Sequence, residues 1–197
     1  MGAPLSKDMI FFRQRVLACA GLYKGDLDGR WGSMTTKADE AFEEEFQRIR
    51  STGGKFDPRT ENNIRSLLPK AQVKAREFMR LAGTSCQIIS GTRTYPEQDV
   101  LFAQKKPKVT NARGGQSNHN FGIAWDIGLF QNGEYLNGDT PKEQAAYVAL
   151  GKKIKSSMKG LEWGGDWKFV DRPHYQLATG RALSQIRTAF EAGRPFV

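Results

Sequence analysis

The sequence predicts an α+β chain, and three observations carry that expectation. Helical periodicity dominates the segment up to Ala82, short β-branched or alternating segments appear only beyond it, and further helical segments lie between them. At 197 residues the chain can bury one good core, or a medium core with a small satellite domain.

Each element has its own signal. Met9, Phe12, Val16 and Ala20 recur at helical spacing from Asp8 to Ala20. A turn-rich stretch, Gly21 to Ser33, leads to a second helix from Ser33 to about Arg50 with Ala38, Ala41, Phe42, Phe46 and Ile49 on one face. Asp57-Pro58 is an N-cap and first-turn pair for a short third helix reaching Leu68. Pro69 restricts Leu68 and can open a new helix, so it marks the boundary between a three-helix module, residues 1–66, and a second unit, residues 67–197. Ala71, Ala75, Phe78 and Ala82 define the next helical face.

Gln87 to Ser90 is short and β-branched, and it runs through Gly91-Thr92-Arg93-Thr94-Tyr95-Pro96 into a short helix, Glu97 to Gln104. Lys105 to Gln116 is basic and glycine-containing, an expected exposed loop. Gly122 to Phe130 alternates, with Ile123, Trp125, Ile127 and Leu129 toward a core and Gly122, Ala124, Asp126 and Gly128 on the other face. Thr140-Pro141-Lys142-Glu143 has the form of a capping box opening a helix to about Met158. A glycine-punctuated loop holds Glu162, Trp163, Asp166 and Trp167. Pro173 to Ala178 is a second strand candidate with His174 and Gln176 on one face, and a last helix spans Arg181 to Ala192.

Composition narrows the function classes. No apolar run approaches the roughly 20 residues of a membrane span. Asp8, Arg13 and Arg15 interrupt every apolar stretch near the start, so no export signal is expected. The excess of 30 basic over 21 acidic residues, net +9, favours a polyanionic partner, nucleic acid, lipid headgroups or an anionic cell wall, or serves solubility alone. The basic residues are dispersed and form no stripe interleaved with aromatics, which argues against nucleic acid. Cys19 and Cys86 make no CxxC motif, so thiolate zinc and redox chemistry are not on offer; buried free thiols are the default, with a disulfide left open.

The two histidines of the chain, His119 and His174, each lie in a short distinctive segment that also holds an aspartate, Asp126 after the first and Asp171 before the second. Two imidazoles and a carboxylate, here His119, Asp126 and His174, are the protein ligands of an open catalytic zinc site whose fourth position takes water. Such a site polarises a carbonyl and acidifies water, and it needs a partner base. Asp171, three residues before His174, is the first candidate, with Glu162 and Asp166 in reserve. Arg93 can pair a substrate carboxylate or a developing oxyanion through its fork, or serve as a structural turn arginine. Trp163 and Trp167 are either core residues or a wall against substrate.

These segments resemble the zinc peptidase family of D-alanyl-D-alanine carboxypeptidases, vancomycin-resistance dipeptidases and phage L-alanyl-D-glutamate endopeptidases. The pattern S-x-H-x-x-G-x-A-x-D is met by Ser117, His119, Gly122, Ala124 and Asp126, the D-x-x-H form of phage members by Asp171 and His174, and the S-G-x-R segment by Ser90 to Arg93 with Glu97-Gln98. The resemblance implies a small catalytic domain with a central antiparallel sheet flanked by helices. It implies one zinc ion on His119, Asp126 and His174, Asp171 as general base, and Arg93, Ser117 and Gln98 toward substrate. The aspartate at the base position points to the endopeptidase branch. Residues 1–66 resemble a peptidoglycan-binding helical module through the turn Asp28, Gly29, Trp31, Gly32 and Thr35, followed by Ala38.

The expectation is therefore a monomeric phage-type endolysin that hydrolyses peptidoglycan stem peptides at the L-alanyl-D-glutamate bond, made in the host cytoplasm and acting on the wall from the periplasm once the membrane is permeabilised. The alternatives are a D-alanyl-D-alanine carboxypeptidase on the same scaffold, and a non-catalytic wall-binding protein whose zinc is structural.

Overall fold

A computed structural model describes residues 5–105 and 109–197. Helix α1 (Lys7–Cys19) is capped by Ser6, whose Oγ accepts from Met9 N at 3.3 Å. Helix α2 (Ser33–Gly53) buries Ala38, Phe42, Phe46 and Ile49. Asp57 caps α3 (Pro58–Ser66) through Thr60 N at 3.0 Å, and Pro69 opens α4 (Pro69–Ala82) as the sequence predicts. Beyond these come β1 (Cys86–Ser90), α5 (Tyr95–Ala103), a 3-10 turn (Asn118–Phe121), β2 (Ala124–Gln131), β3 (Glu134–Leu136), α6 (Pro141–Ser157), β4 (Leu161–Trp163), a second 3-10 turn (Gly164–Asp166), β5 (His174–Leu177) and α7 (Leu183–Glu191).

The strands form one antiparallel sheet in the order β1-β2-β5-β4, with β3 a hairpin partner of β2. The fold is thus α+β with a central antiparallel sheet. The expected alternation on β2 holds: Trp125 and Ile127 are fully buried on one face, where Phe78 of α4 packs with ring centroids 6.1 Å from Trp125 and 4.6 Å from Tyr175. Asp126 is on the opposite face. Helix α3 covers the edge strand β1, with Ile88 N donating to Thr60 Oγ1 at 3.1 Å and Asn63 Nδ2 donating to Ile88 O at 2.8 Å. One hydrophobic cluster runs from Val16 and Phe42 in the first helices to Phe190 and Phe196 at the end.

Several local expectations change. The segment holding Glu162 and Trp163 is strand β4 and not loop, because its backbone pairs with β5. Thr140 does cap α6 through Glu143 N, but Glu143 Oε2 accepts from Gly138 N and Asp139 N instead of closing a box. A complete capping box forms at Thr94 and Glu97, which starts α5 two residues earlier than the sequence indicates. The last helix starts at Leu183, two residues later than expected. Of the loop expected over Lys105 to Gln116, residues 106–108 lie outside the described residues. Cys19 and Cys86 are free and buried, and burial pushes both thiols up to about 12, which keeps them protonated. Among the described residues no helix is long and apolar enough to cross a membrane.

Candidate metal centre and cleft

Strand pairing builds the centre. Asp126 of β2 stands opposite His174 of β5 on one side and Ser90 of β1 on the other, so three strands deliver side chains to one face. His119 arrives from the 3-10 turn before β2. Ser117 caps that turn, its Oγ accepting from His119 N at 3.4 Å, and Gly122 closes it at φ +69°, a conformation that favours glycine; a Cβ there would also meet Leu68 at 3.2 Å.

The three donor atoms form a nearly equilateral triangle. His119 Nε2 and His174 Nδ1 are 3.2 Å apart, and each is 3.1 Å from Asp126 Oδ1. A tetrahedral ion with bonds of about 2.0–2.1 Å separates its ligands by about 3.3 Å, so the triangle has the size such an ion requires. The far side of each ring is committed. His119 Nδ1 lies 2.7 Å from Gly91 O, and His174 Nε2 lies 3.0 Å from Gln176 Oε1. With both outward nitrogens donating to these oxygens, both inward nitrogens present lone pairs. Three acceptors then face one another, an arrangement that a metal cation between them satisfies and that, without one, is met by a proton shared between an imidazole and the carboxylate.

The charge of Asp126 dominates the electrostatics of the centre. Burial pushes His119 toward its neutral form, whereas at His174 the hydrogen bond and charge of Asp126 outweigh burial and raise the pKa. Burial opposes ionisation of Asp126, yet the two imidazoles hold its carboxyl well below the usual range. The carboxylate thus stays ionised between two imidazoles, with Arg93 paired to its second oxygen.

The centre lies in a cleft of about 480 Å³ lined in part by Arg93, Ser117, Asn118, Tyr135, Trp167, Asp171 and Gln176. Asp171 is exposed on the cleft wall; desolvation of its carboxyl, then the charge of Asp126, push its pKa up against the pull of His174, His119 and Arg93. Gly164 allows this turn to form, since a Cβ there would stand 2.4 Å from Asp171 O. Trp167 leans on His174 with ring centroids 4.9 Å apart.

Other predicted residues are used differently. Arg93 is turned inward: its Nη2 pairs with Asp126 Oδ2 and donates to Ser90 Oγ at 2.7 Å, and its Nη1 donates to Gln98 Oε1 at 3.3 Å. Gln98, expected to touch substrate, is fully buried behind Arg93 and ties down Thr110 and Ala112. Trp163, expected as a substrate wall, is a core residue 7 % exposed, stacked on Tyr175 with Nε1 donating to Arg172 O. Glycines leave it room, since a Cβ on Gly151 or Gly165 would fall within 2.4 Å of its ring.

In the first helices, Gln14 is fully buried and organises the expected wall-binding turn. Its Nε2 donates to Asp28 Oδ1 at 3.0 Å and Arg30 O at 3.1 Å, with Thr35 Oγ1 3.4 Å away, and its Oε1 accepts from Asp28 N and Gly29 N. Asp28, Gly29 and Thr35 therefore shape the turn, while Trp31 is exposed, its Nε1 donating to Thr36 Oγ1. Gly32 precedes α2 as its N-cap.

Two residues packed around the centre were given no role by the sequence reading. Asn120 is fully buried, its Nδ2 donating to Arg93 O and its Oδ1 accepting from Gly115 N, which locks the histidine turn to the arginine loop. Gln176 orients His174. Neither belongs to a residue type that announces a metal site, though the two-residue spacing of Gln176 from His174 on a strand was a usable signal.

Residues 110–177, the segment that holds Ser117, His119, Asp126, Asp171 and His174, match the family model described as D-alanyl-D-alanine carboxypeptidase. The chain is 37% identical over 108 residues to a peptidoglycan L-alanyl-D-glutamate endopeptidase, CwlK, of Bacillus subtilis (strain 168), a match covering 48% of this chain and 62% of that relative's length. Among solved structures, an L-Ala D-Glu endopeptidase, ChiX, of Serratia marcescens aligns with a TM-score of 0.45 and 24% identity over 64% of this chain and 92% of that one.

Proposed function

We propose that this chain is a zinc-dependent peptidoglycan endopeptidase of the phage endolysin type, cutting stem peptides between L-alanine and D-glutamate. The observation that carries the reading is the convergence of His119 Nε2, Asp126 Oδ1 and His174 Nδ1 to within 3.2 Å of one another, in a cleft that also holds an acid of raised pKa. The similarity to CwlK supports the choice of substrate and bond.

Zinc, when bound, supplies a Lewis acid for the scissile carbonyl and a lowered pKa for the attacking water. The chain does the rest. Asp171 accepts the proton of the attacking water and returns it to the leaving amine, a role for which a carboxyl of raised pKa is suited. Arg93 holds the second oxygen of Asp126, so that Oδ1 faces the two rings. Ser117 and Trp167 border the substrate path. Residues 1–66 act as a wall-binding module that offers Trp31 at its surface, and tethering raises the local concentration of an insoluble substrate. The net charge of +9 draws the protein to an anionic wall, which it reaches after the host membrane is permeabilised. It acts as a monomer.

Digestion of purified sacculi with and without a chelator, read by mass spectrometry, tests the reading. New N-terminal D-glutamate, restored by zinc after chelation, is the expected product. The family description favours a second reading, a D-alanyl-D-alanine carboxypeptidase, which would instead release D-alanine. If Asp171→Ala retained zinc and full lytic activity, the base assignment would be lost.

A further inference from the structure

The contact of His174 Nε2 with Gln176 continues into a longer hydrogen-bonded chain of side chains. His174 Nε2 faces Gln176 Oε1 at 3.0 Å, the same oxygen accepts from Asn118 Nδ2 at 2.8 Å, and Gln176 Nε2 donates to Glu162 Oε2 at 2.7 Å. Strand register builds the chain. Gln176 follows His174 by two residues on β5, and Glu162 stands opposite Gln176 across the β4–β5 pairing.

We propose that Glu162, acting through Gln176, is a positioning residue that fixes His174 as the Nε2–H tautomer and so leaves Nδ1 free for a metal ion. The inference rests on the metal centre proposed above. Its physical basis is the asymmetry of an amide between a carboxylate and an imidazole. A carboxylate can only accept, so the amide nitrogen of Gln176 must face Glu162 and its oxygen must face His174. The flipped amide would set Oε1 against the carboxylate and lose that bond, and because Asn118, whose Oδ1 is buried with no partner among the described residues, can turn with Gln176, the carboxylate alone dictates the direction. An oxygen facing His174 then demands a proton on Nε2. The two histidines differ in this respect. His119 takes its orientation from the carbonyl of Gly91, part of the main chain, whereas His174 takes it from a side-chain amide that can rotate. Only His174 needs a third residue to set the direction.

The test replaces donor and acceptor without changing shape. In Glu162→Gln the carboxylate becomes an amide that can donate or accept, and the direction of the chain is no longer dictated. In the double variant Glu162→Gln with Gln176→Glu, the new amide donates to the new carboxylate, which accepts from His174 Nε2 and Asn118 as before. Two readouts apply: the tautomer of His174 in metal-free protein, from long-range nitrogen–proton correlation spectra at a pH where the rings are neutral, and zinc affinity by chelator competition. We expect wild type and the double variant to show the Nε2–H form, and Glu162→Gln to show a tautomer mixture with zinc affinity weakened about 10–100-fold. An unchanged tautomer and affinity in Glu162→Gln overturns the inference, as does a loss that the double variant fails to restore. If wild type bound no zinc, the metal centre would fail, and the tautomer spectra would still decide the role of Glu162.

Discussion

Among the described residues two arginine–carboxylate pairs are shielded from water, and they are built on opposite plans. Arg76 and Glu61 join α4 to α3, and every strong acceptor there meets a donor: Glu61 Oε1 accepts from Phe56 N at 2.9 Å and Arg76 Nη1 at 3.2 Å, and Oε2 accepts from Arg76 Nη2 at 2.6 Å, with Arg50 Nε 3.4 Å away. Arg76 Nη1 also donates to Gly54 O at 2.7 Å, and its guanidinium lies over Phe46 and Phe56. Arg93 and Asp126 look similar, yet only one carboxylate oxygen is satisfied by the arginine. The other, Oδ1, faces two imidazole nitrogens whose neighbours commit their protons elsewhere. A closed pair holds the fold together. An open one leaves acceptor atoms facing one another, where a metal ion could be held.

The contrast predicts opposite responses to mutation. The largest effect is expected at the open pair: His119→Ala should reduce sacculus hydrolysis by about ten-thousand-fold or more, roughly 5.5 kcal/mol of barrier, while the melting temperature of metal-free protein stays close to wild type. A metal-free variant that unfolds easily would mean that His119 serves packing. At the closed pair, Arg76→Ala leaves a buried carboxylate without its cation and should cost about 3–5 kcal/mol of unfolding free energy by denaturant titration, with activity per folded molecule retained.

Metal should sharpen the comparison further. With free zinc at 100 times the dissociation constant, wild type should gain about 2.7 kcal/mol against unfolding, and Arg76→Ala should gain the same from its lower baseline. His119→Ala should gain less. Equal stabilisation of all three by zinc would place the bound ion somewhere other than the triangle of His119, Asp126 and His174.

The open pair was legible in the sequence because its residue types are scarce and chemically pointed. A chain with two histidines, each near an aspartate, has few ways to be read, and the small residues on one face of β2 indicated room beside Asp126. The closed pair was illegible, because Glu61 and Arg76 are 15 positions apart on different helices and no periodicity joins them. Errors within the site share one cause. Residue type tells what Gln98 and Trp163 can do but not which way they face, and both turned inward to serve Arg93 and Tyr175. Strand β4 was hidden because three residues between glycines carry no alternation, while the β2–β3 hairpin had a signal in Asn132-Gly133, a favoured turn pair.

The smallest expected effect separates charge from shape at the closed pair. Replacing both partners with apolar side chains, Glu61→Leu with Arg76→Met, removes the desolvation cost along with the attraction and should change stability near pH 7 far less than either single change. The acid limb should then differ. Burial favours the neutral form of Glu61, but the hydrogen bonds from Arg76 and Phe56 and the charges of Arg76 and Arg50 outweigh it and hold the folded pKa below the ordinary value. A carboxyl whose pKa is depressed by folding contributes stability that is complete above its unfolded value, about 4.3, and is lost as the pH falls through the folded value. Wild type should therefore lose stability relative to the double variant as the pH drops from about 5 toward 3, and the other carboxylates, common to both proteins, cancel from the difference. Denaturant curves that run parallel for the two proteins across that range would show that Glu61 is not held ionised by Arg76, and the closed plan assigned to this pair would have to be abandoned.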